Sequence, residues 1–253
     1  MISPAVYNAL LRLSFALAGV IFAALFFISA PYGRHVRREW GPAVPNHIGW
    51  MVMDAPASVV FALCFVAGSA PKNLTAIIFL GLWEAHYVHR AFIYPFQIAD
   101  GRKKMPVLVI LMGFIFNCGN AYLNGAYLFS LSGGYPMQWL TDPRFITGAG
   151  LFVLGFTINR RADRLLRRLR APGETGYKIP YGGLFERVSC PNYLGEIIEW
   201  SGWALATWSF PGLSFAAWTF ANLVPRARAH HRWYWENFPN YPRKRKALIP
   251  GVW

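Results

Sequence analysis

Apolar residues run along this chain in seven long blocks, at about 5–30, 47–68, 73–98, 105–131, 144–166, 193–209 and 211–230. An α-helix needs ~20 residues to cross the hydrocarbon core of a bilayer, and all but the short sixth block approach or exceed that length. Short stretches separate the blocks, and those after the first, third and fifth are rich in arginine or lysine. The pattern predicts an all-α polytopic membrane protein with seven transmembrane helices, read as a single domain over residues 1–253. The loops and the C-terminal tail then lie outside the bilayer. The first block is too long for the apolar part of a cleavable leader and is followed by Arg34, Arg37 and Arg38, so it reads as the first span.

Composition agrees with the pattern. The chain is 55% hydrophobic and 14% charged, against about 25% charged in soluble domains. Its net charge of +14 raises nucleic acid as a partner, but the distribution of cations points away from it. Arg34, Arg37 and Arg38 lie in the first loop, and Arg102, Lys103 and Lys104 in the third. Arg160, Arg161, Arg164, Arg167, Arg168, Arg170, Lys178 and Arg187 lie around the fifth, and seven more cations in the C-terminal tail. Only Lys72 and Arg144 fall in the alternate loops. Cations on alternate loops orient a membrane protein positive side inward, which places the N-terminus outside and the C-terminus in the cytoplasm. Membrane lipid is therefore a partner, and nothing in the pattern calls for more than a monomer.

The fifth loop holds more cations than orientation requires. Together with Asn159, Asp163, Tyr177 and Asn192 they form a candidate surface for a polyanion, the alternative being a solvated or lipid-facing run. Guanidinium groups suit phosphates, and amides and acids suit ribose and base. No GxGxxG follows a strand, which excludes a Rossmann holder for a dinucleotide.

Polar groups inside the spans are the other signal, because they are costly in lipid and face a protein interior or a water-filled cavity. Asp54 lies in the second block, two residues before Pro56, which is expected to disturb the helix and open room for a polar site. An Asp capping a helix break is the alternative. The third block reads WEAHYVHRAFIYPF, with His86 and His89 three apart and Tyr87, Arg90 and Tyr94 sharing a face. Tyr87 is the natural proton donor, and Asp54 the candidate that orients it; a helix–helix hydrogen-bond network is the alternative. Glu196 and Glu199 share a face of the sixth block, with Asn192 one turn earlier, and suit amide or hydroxyl groups unless a basic residue neutralises them. His230, His231, Arg232 and Tyr234 mark the cytoplasmic end of the seventh. Six histidines, with one HxxH and one HH, are too few for a histidine-box iron site, so no metal is expected. Cys64, Cys118 and Cys190 have no paired spacing.

The runs HYVHRAFIYPF, CGNAYLNGAYL, GFTINRRADRLLRRLRAPGETGYKIPYGGLFE, PNYLGEIIEWSGWALATWS, RAHHRWYWENFPNYP and RKALIPGVW closely resemble the steroid 5α-reductase family, in order, from about Trp50 to Trp253. They match the vertebrate-like steroid branch rather than polyprenol or enoyl-CoA reductases. The first 45 residues match little. The resemblance implies NADPH-dependent reduction of the C4–C5 double bond of a 3-oxo-Δ4 steroid of the testosterone or progesterone type. It implies that Arg90, Asn159, Asp163, Arg167, Arg170, Tyr177, Lys178, Asn192, Glu196, His230 and Tyr234 hold NADPH. Trp50, Asp54, Tyr87 and Glu199 would meet the substrate, with Tyr87 and Asp54 catalytic. Two departures stand out: Asp54 where relatives carry Glu, and Lys178 where Arg is usual.

Three other readings compete. An NADPH reductase of another enone, polyprenol or enoyl-CoA lipid would use the same basic surface. An isoprenylcysteine-type methyltransferase shares features such as CPNYLGE but needs no phosphate cradle. A non-enzymatic seven-helix receptor or lipid-binding protein would not need the cluster of Tyr87, Asp54, Glu196 and Glu199 together with a cytoplasmic phosphate site. The preponderance of arginine over lysine points to a GC-rich bacterial genome and hence an inner membrane; a eukaryotic source would mean the endoplasmic reticulum.

Overall fold

The computed structural model describes residues 2–28, 41–97, 104–169, 174 and 176–253. Among these residues lie seven α-helices: α1 (Pro4–Phe27), α2 (Asn46–Ala67), α3 (Leu74–Val88), α4 (Val107–Ala126), α5 (Pro143–Arg168), α6 (Pro191–Thr207) and α7 (Phe210–Asn237). Two three-residue strands, β1 (Ala43–Pro45) and β2 (Lys104–Pro106), pair antiparallel with Val44 opposite Met105. The apolar blocks therefore match the helices closely. α1, α2 and the stretch Val107–Leu131 are each long and apolar enough to cross a bilayer. α3 has 15 residues and α6 has 17, while α5 and α7 run on into arginines. Large apolar side chains such as Val6, Leu10, Leu13, Leu17 and Val20 stand exposed along α1, as a lipid-facing surface requires.

Three expectations need correction. The third block is not one α-helix: after Val88 the chain widens into a π turn over His89–Ile93 and then tightens into a 3₁₀ turn over Tyr94–Gln97. The seventh helix does not stop at residue 230, because nothing in RAHHRWYWEN breaks it before Asn237. Pro56 does not interrupt α2, which continues unbroken to Ala67; a single missing N–H leaves the flanking hydrogen bonds in place.

The chain forms two compact units. The first is Met1–Leu11 with Pro31–Ile146, and the second is Arg12–Ala30 with Thr147–Trp253. In the first unit, α2 packs on α4 and α3. The Phe61 ring stacks on Trp83 at 4.4 Å, and Trp83 Nε1 donates to the Ala57 carbonyl at 2.9 Å. In the second unit, glycines spaced seven apart on α5 and α6 bring the two backbones together. A Cβ on Gly155 would lie 2.7 Å from Glu199 Cα, and one on Gly195 would lie 3.0 Å from Asn159 Cα. Gly148 and Gly202 repeat the arrangement two turns away, against Ala206 and Phe152. Small residues permit such close helix packing in membranes. The contact places Asn159 and Glu199 by backbone geometry alone.

The α6–α7 corner is tight. Trp208 takes a left-handed φ of 44°, and the Ser209 hydroxyl accepts from Gly212 N at 3.1 Å as the N-cap of α7. Ser209→Ala is expected to cost about 1 kcal/mol, read as a lower unfolding temperature of the purified protein. An unchanged value would deny the cap any role.

Candidate active site

In the first unit a polar cluster lies within an apolar setting. Trp50, Asp54 and Ser58 follow one another at four-residue spacing along α2. Glu84 and Tyr87 lie on α3, and Arg90 sits in the π turn that follows it. Asp54 is buried. Its Oδ2 accepts from Arg90 Nε at 3.3 Å and its Oδ1 from Asn117 Nδ2 at 3.1 Å. Asn117 also donates to the Met53 carbonyl at 2.8 Å. The Arg90 guanidinium lies 4.4 Å over the Trp50 ring and 5.2 Å over Tyr94. A buried carboxylate persists only with such partners. One turn along, Ser58 Oγ donates to Glu84 Oε2 at 2.5 Å. Tyr87 is 4% exposed, its ring 5.0 Å from both Trp83 and His86. Trp50, Asp54, Tyr87 and Arg90 thus belong to one unit, and Arg90, expected among cofactor residues, pairs here with Asp54.

The second unit holds the other expected residues. Asn159 Nδ2 donates to the Asn192 carbonyl at 3.1 Å, and Asn192 Nδ2 donates to Asp163 Oδ1 at 3.2 Å. These links join α5 to the first turn of α6. Arg160, Arg164 and Arg167 lie in the C-terminal turns of α5. Glu199 is fully buried, while Glu196 is half-buried. His230 Nε2 lies 3.0 Å from the Tyr193 hydroxyl. The Tyr177 ring meets Trp233 at 5.0 Å edge-on, and Tyr234 stacks on Tyr241 at 5.0 Å. Lys178 forms an ion pair with Glu174 at 2.6 Å. Arg170 lies outside the described residues.

The C-terminal tail returns over the loop that precedes α6. Lys246 N donates to the Arg187 carbonyl at 2.9 Å, and Ser189 N donates to the Lys246 carbonyl at 2.8 Å. Arg245 is 1% exposed, donates Nη1 to the Pro180 carbonyl at 2.8 Å and lies 4.7 Å over Tyr181. Ser189 Oγ joins His231 Nδ1 and the Tyr241 hydroxyl, each at 2.6 Å. Burial, and then the nearby Lys246, push the His231 imidazole below its ordinary value. A depressed imidazole contributes stability that is complete above the unfolded value, about 6.5, and is lost as pH falls through the folded value. The tail is therefore expected to be more open to protease at pH 5.5 than at pH 7.5. His231→Gln should flatten that difference, and a pH-independent wild type would refute the link.

Sequence reasoning passed over Asn117, Ser58, Glu84, Tyr193 and Arg226. Asn117, Asn120 and Asn124 are all buried on α4. Their i, i+3, i+7 spacing in an apolar run was the available signal.

A family model described as "3-oxo-5-alpha-steroid 4-dehydrogenase" matches residues 103–253. The chain is 43% identical to the bovine (Bos taurus) "3-oxo-5-alpha-steroid 4-dehydrogenase 1" over 247 residues, covering 96% of this chain and 95% of that protein. The chain belongs to this family. The chain is an oxidoreductase of this family, and its relatives reach across kingdoms. It is 42% identical over 234 residues to the cotton (Gossypium hirsutum) "Steroid 5-alpha-reductase DET2", covering 91% of each chain. It is also 44% identical over 245 residues to the pig (Sus scrofa) "3-oxo-5-alpha-steroid 4-dehydrogenase 2", covering 94% of each. The 96% coverage extends the likeness into the first 45 residues, where the motifs matched little.

Proposed function

We propose that this reductase saturates the C4–C5 double bond of a 3-oxo-Δ4 steroid, with NADPH as its reductant, from within a seven-helix bundle. The N-terminus is then outside, and the C-terminus and arginine-rich loops are cytoplasmic. The observation that carries the reading is the group of buried Tyr87 and Asp54 with half-buried Arg90 and Trp50 in a chain whose relatives are named for that reaction.

The second unit offers a suitable holder for a phosphorylated dinucleotide. Arg160 Nη1 is buried with no hydrogen-bond partner among the described residues, and the Asn159–Asn192–Asp163 chain offers amide and carboxylate groups. Arg167, Arg170 and Lys178 would face phosphate, and Tyr177, Glu196, His230 and Tyr234 the remainder. When bound, NADPH supplies the hydride that C5 accepts.

The protein's own part is positioning and electrostatics. Tyr87 donates to the C3 carbonyl oxygen and stabilises the enolate that develops as C5 is reduced; C4 then takes a proton. Asp54, held by Arg90 and Asn117, orients the phenol, and Trp50 bounds the substrate. A flat apolar steroid enters laterally from the bilayer.

The test is NADPH oxidation by the detergent-purified protein with testosterone or progesterone. The expected product is heavier by two hydrogens and carries label from the nicotinamide 4-position at C5. NADPH binding without turnover would move the substrate to a polyprenol or enoyl-CoA. No binding would overturn the reading of the arginine surface.

A further inference from the structure

We propose that Ser58, Glu84 and Asn120 form a polar subsite for a hydroxyl group on ring B of the steroid, and so determine which steroids the protein prefers. That the ligand is a steroid rests on the function proposed above; the subsite itself rests on helix register and on two buried polar atoms.

The register of three helices brings these residues to one level. α3 runs antiparallel to α2, so that Arg90 meets Asp54 and Glu84 meets Ser58. α4 runs parallel to α2, so that Asn117 meets Asp54 and Gly125 lies against Cys64. One turn forward along α2, from Asp54 to Ser58, therefore corresponds to one turn back along α3, from Tyr87 to Glu84. It corresponds to one turn forward along α4, from Asn117 to Asn120. Asp54, Tyr87 and Asn117 make one layer, and Ser58, Glu84 and Asn120 make the next, about 5.4 Å further along.

Ser58 and Asn120 are each 8% exposed, and Glu84 is half-buried. The Ser58 hydroxyl donates to Glu84 Oε2 at 2.5 Å and so ties the carboxyl group to α2. The other oxygen, Oε1, is buried and has no hydrogen-bond partner among the described residues. Asn120 has an orphan of its own. Asn124 Nδ2 donates to the Asn120 carbonyl at 3.0 Å and to Asn120 Oδ1 at 3.1 Å. A backbone carbonyl can only accept, so the Asn124 nitrogen faces it, and the Asn120 side-chain atom that shares this nitrogen must be the oxygen. Asn120 Nδ2 is therefore left over, buried and without a partner among the described residues. Such orphans are costly, and more so at membrane depth.

One small group matches both. A hydroxyl has a proton to give and lone pairs to receive, so it can donate to Glu84 Oε1 while accepting from Asn120 Nδ2. A carbonyl or ether would serve only Asn120, and an ammonium only Glu84. Tyr87 stands three residues from Glu84 on the same helix face, and helical side chains lean over the preceding turn, as the 5.0 Å approach of Tyr87 to Trp83 shows. With the C3 oxygen of a steroid at Tyr87, a layer within one turn of the phenol is in reach of ring B and not of ring D at the far end.

The test compares progesterone with its 6-hydroxy and 7-hydroxy derivatives, both epimers of each, on the full-length protein in detergent. 17α-Hydroxyprogesterone is the ring D control. Two quantities are read for each steroid: kcat/KM with NADPH, and affinity by tryptophan fluorescence without it. One ring B alcohol is expected to exceed progesterone about tenfold in both, the scale of a hydrogen bond made to groups otherwise left unpaired. That ratio should fall to about one in Glu84→Leu and to about threefold in Asn120→Ala, with the ring D ratio unmoved. Each ratio compares two steroids on one protein, so a loss of folded protein cancels, and Asn120→Ala carries the test if Glu84→Leu fails to fold. A wild type that favours no ring B alcohol, or a gain undiminished in either variant, would overturn the subsite; turnover of progesterone would then leave the reductase reading in place. A ring B preference seen in binding and lost in the variants, but with no turnover of any steroid, would sink the reductase reading and leave the subsite standing.

Discussion

Replacing Tyr87 with Phe is expected to lower kcat for testosterone about 10²-fold or more, the usual effect of removing one preorganised donor from a developing oxyanion. The ring itself should stay in place. Tyr87 is packed against Trp83 and His86, and Phe fills the same volume, so the loss isolates the hydroxyl. NADPH affinity should remain that of the wild type, because the residues proposed to hold the dinucleotide lie mainly on α5, α6, α7 and the loop between α5 and α6. The split between kcat and NADPH binding distinguishes a chemical role from general damage. Turnover within a few-fold of wild type would remove Tyr87 from the mechanism. Arg90→Ala makes a useful contrast. It removes the cation paired with the buried Asp54, and breaking a buried ion pair by deleting one partner is strongly destabilising. Its defect should therefore appear in folded yield as well as in rate.

The largest effect on stability is expected from Gly155→Ala. The added Cβ would run into the backbone nitrogen and Cα of Glu199 and the carbonyl of Gly195. Backbone cannot rotate away as a side-chain tip can, so α5 and α6 would have to separate. Overpacking typically costs about 1–3 kcal/mol, and more is expected here because the clash involves backbone on the facing helix. With total stability on the order of 5–15 kcal/mol, the folded fraction in detergent should drop sharply. Gly150→Ala on the same helix is the control. It is exposed with open space around its Cβ position, and Ala is the better helix former. A normal melting temperature for Gly155→Ala would mean that the α5–α6 contact is looser than described.

Much of the fold was legible because lipid imposes a single rule: every spanning backbone group must be bonded within its own helix. Length and apolarity therefore located seven helices to within a few residues at most ends. The same rule drew attention to Asp54, Tyr87, Arg90, Glu196 and Glu199, since polar groups at depth are conspicuous. It did not reach beyond the apolar stripe. The last turns of α7 are polar and helical, and their length follows from local propensity and from the tail packing under them rather than from hydropathy.

The sequence by itself determined which residues are expensive to bury and where the chain must be helical. Only the tertiary structure decided how that expense is met. Asp54 is satisfied by Arg90 and by Asn117 from α4, and no spacing rule connects residues 54, 90 and 117. His230 receives its hydrogen-bond partner from Tyr193 on α6, a residue that in sequence is an ordinary aromatic. Gly148, Gly155, Gly195 and Gly202 read as four unremarkable small residues until α5 and α6 are laid together, when the missing side chains set the helix separation. In each case the deciding contact joins different helices. Periodicity along one chain segment reports which face is buried, whereas the identity of what covers that face depends on distances that exist only after packing.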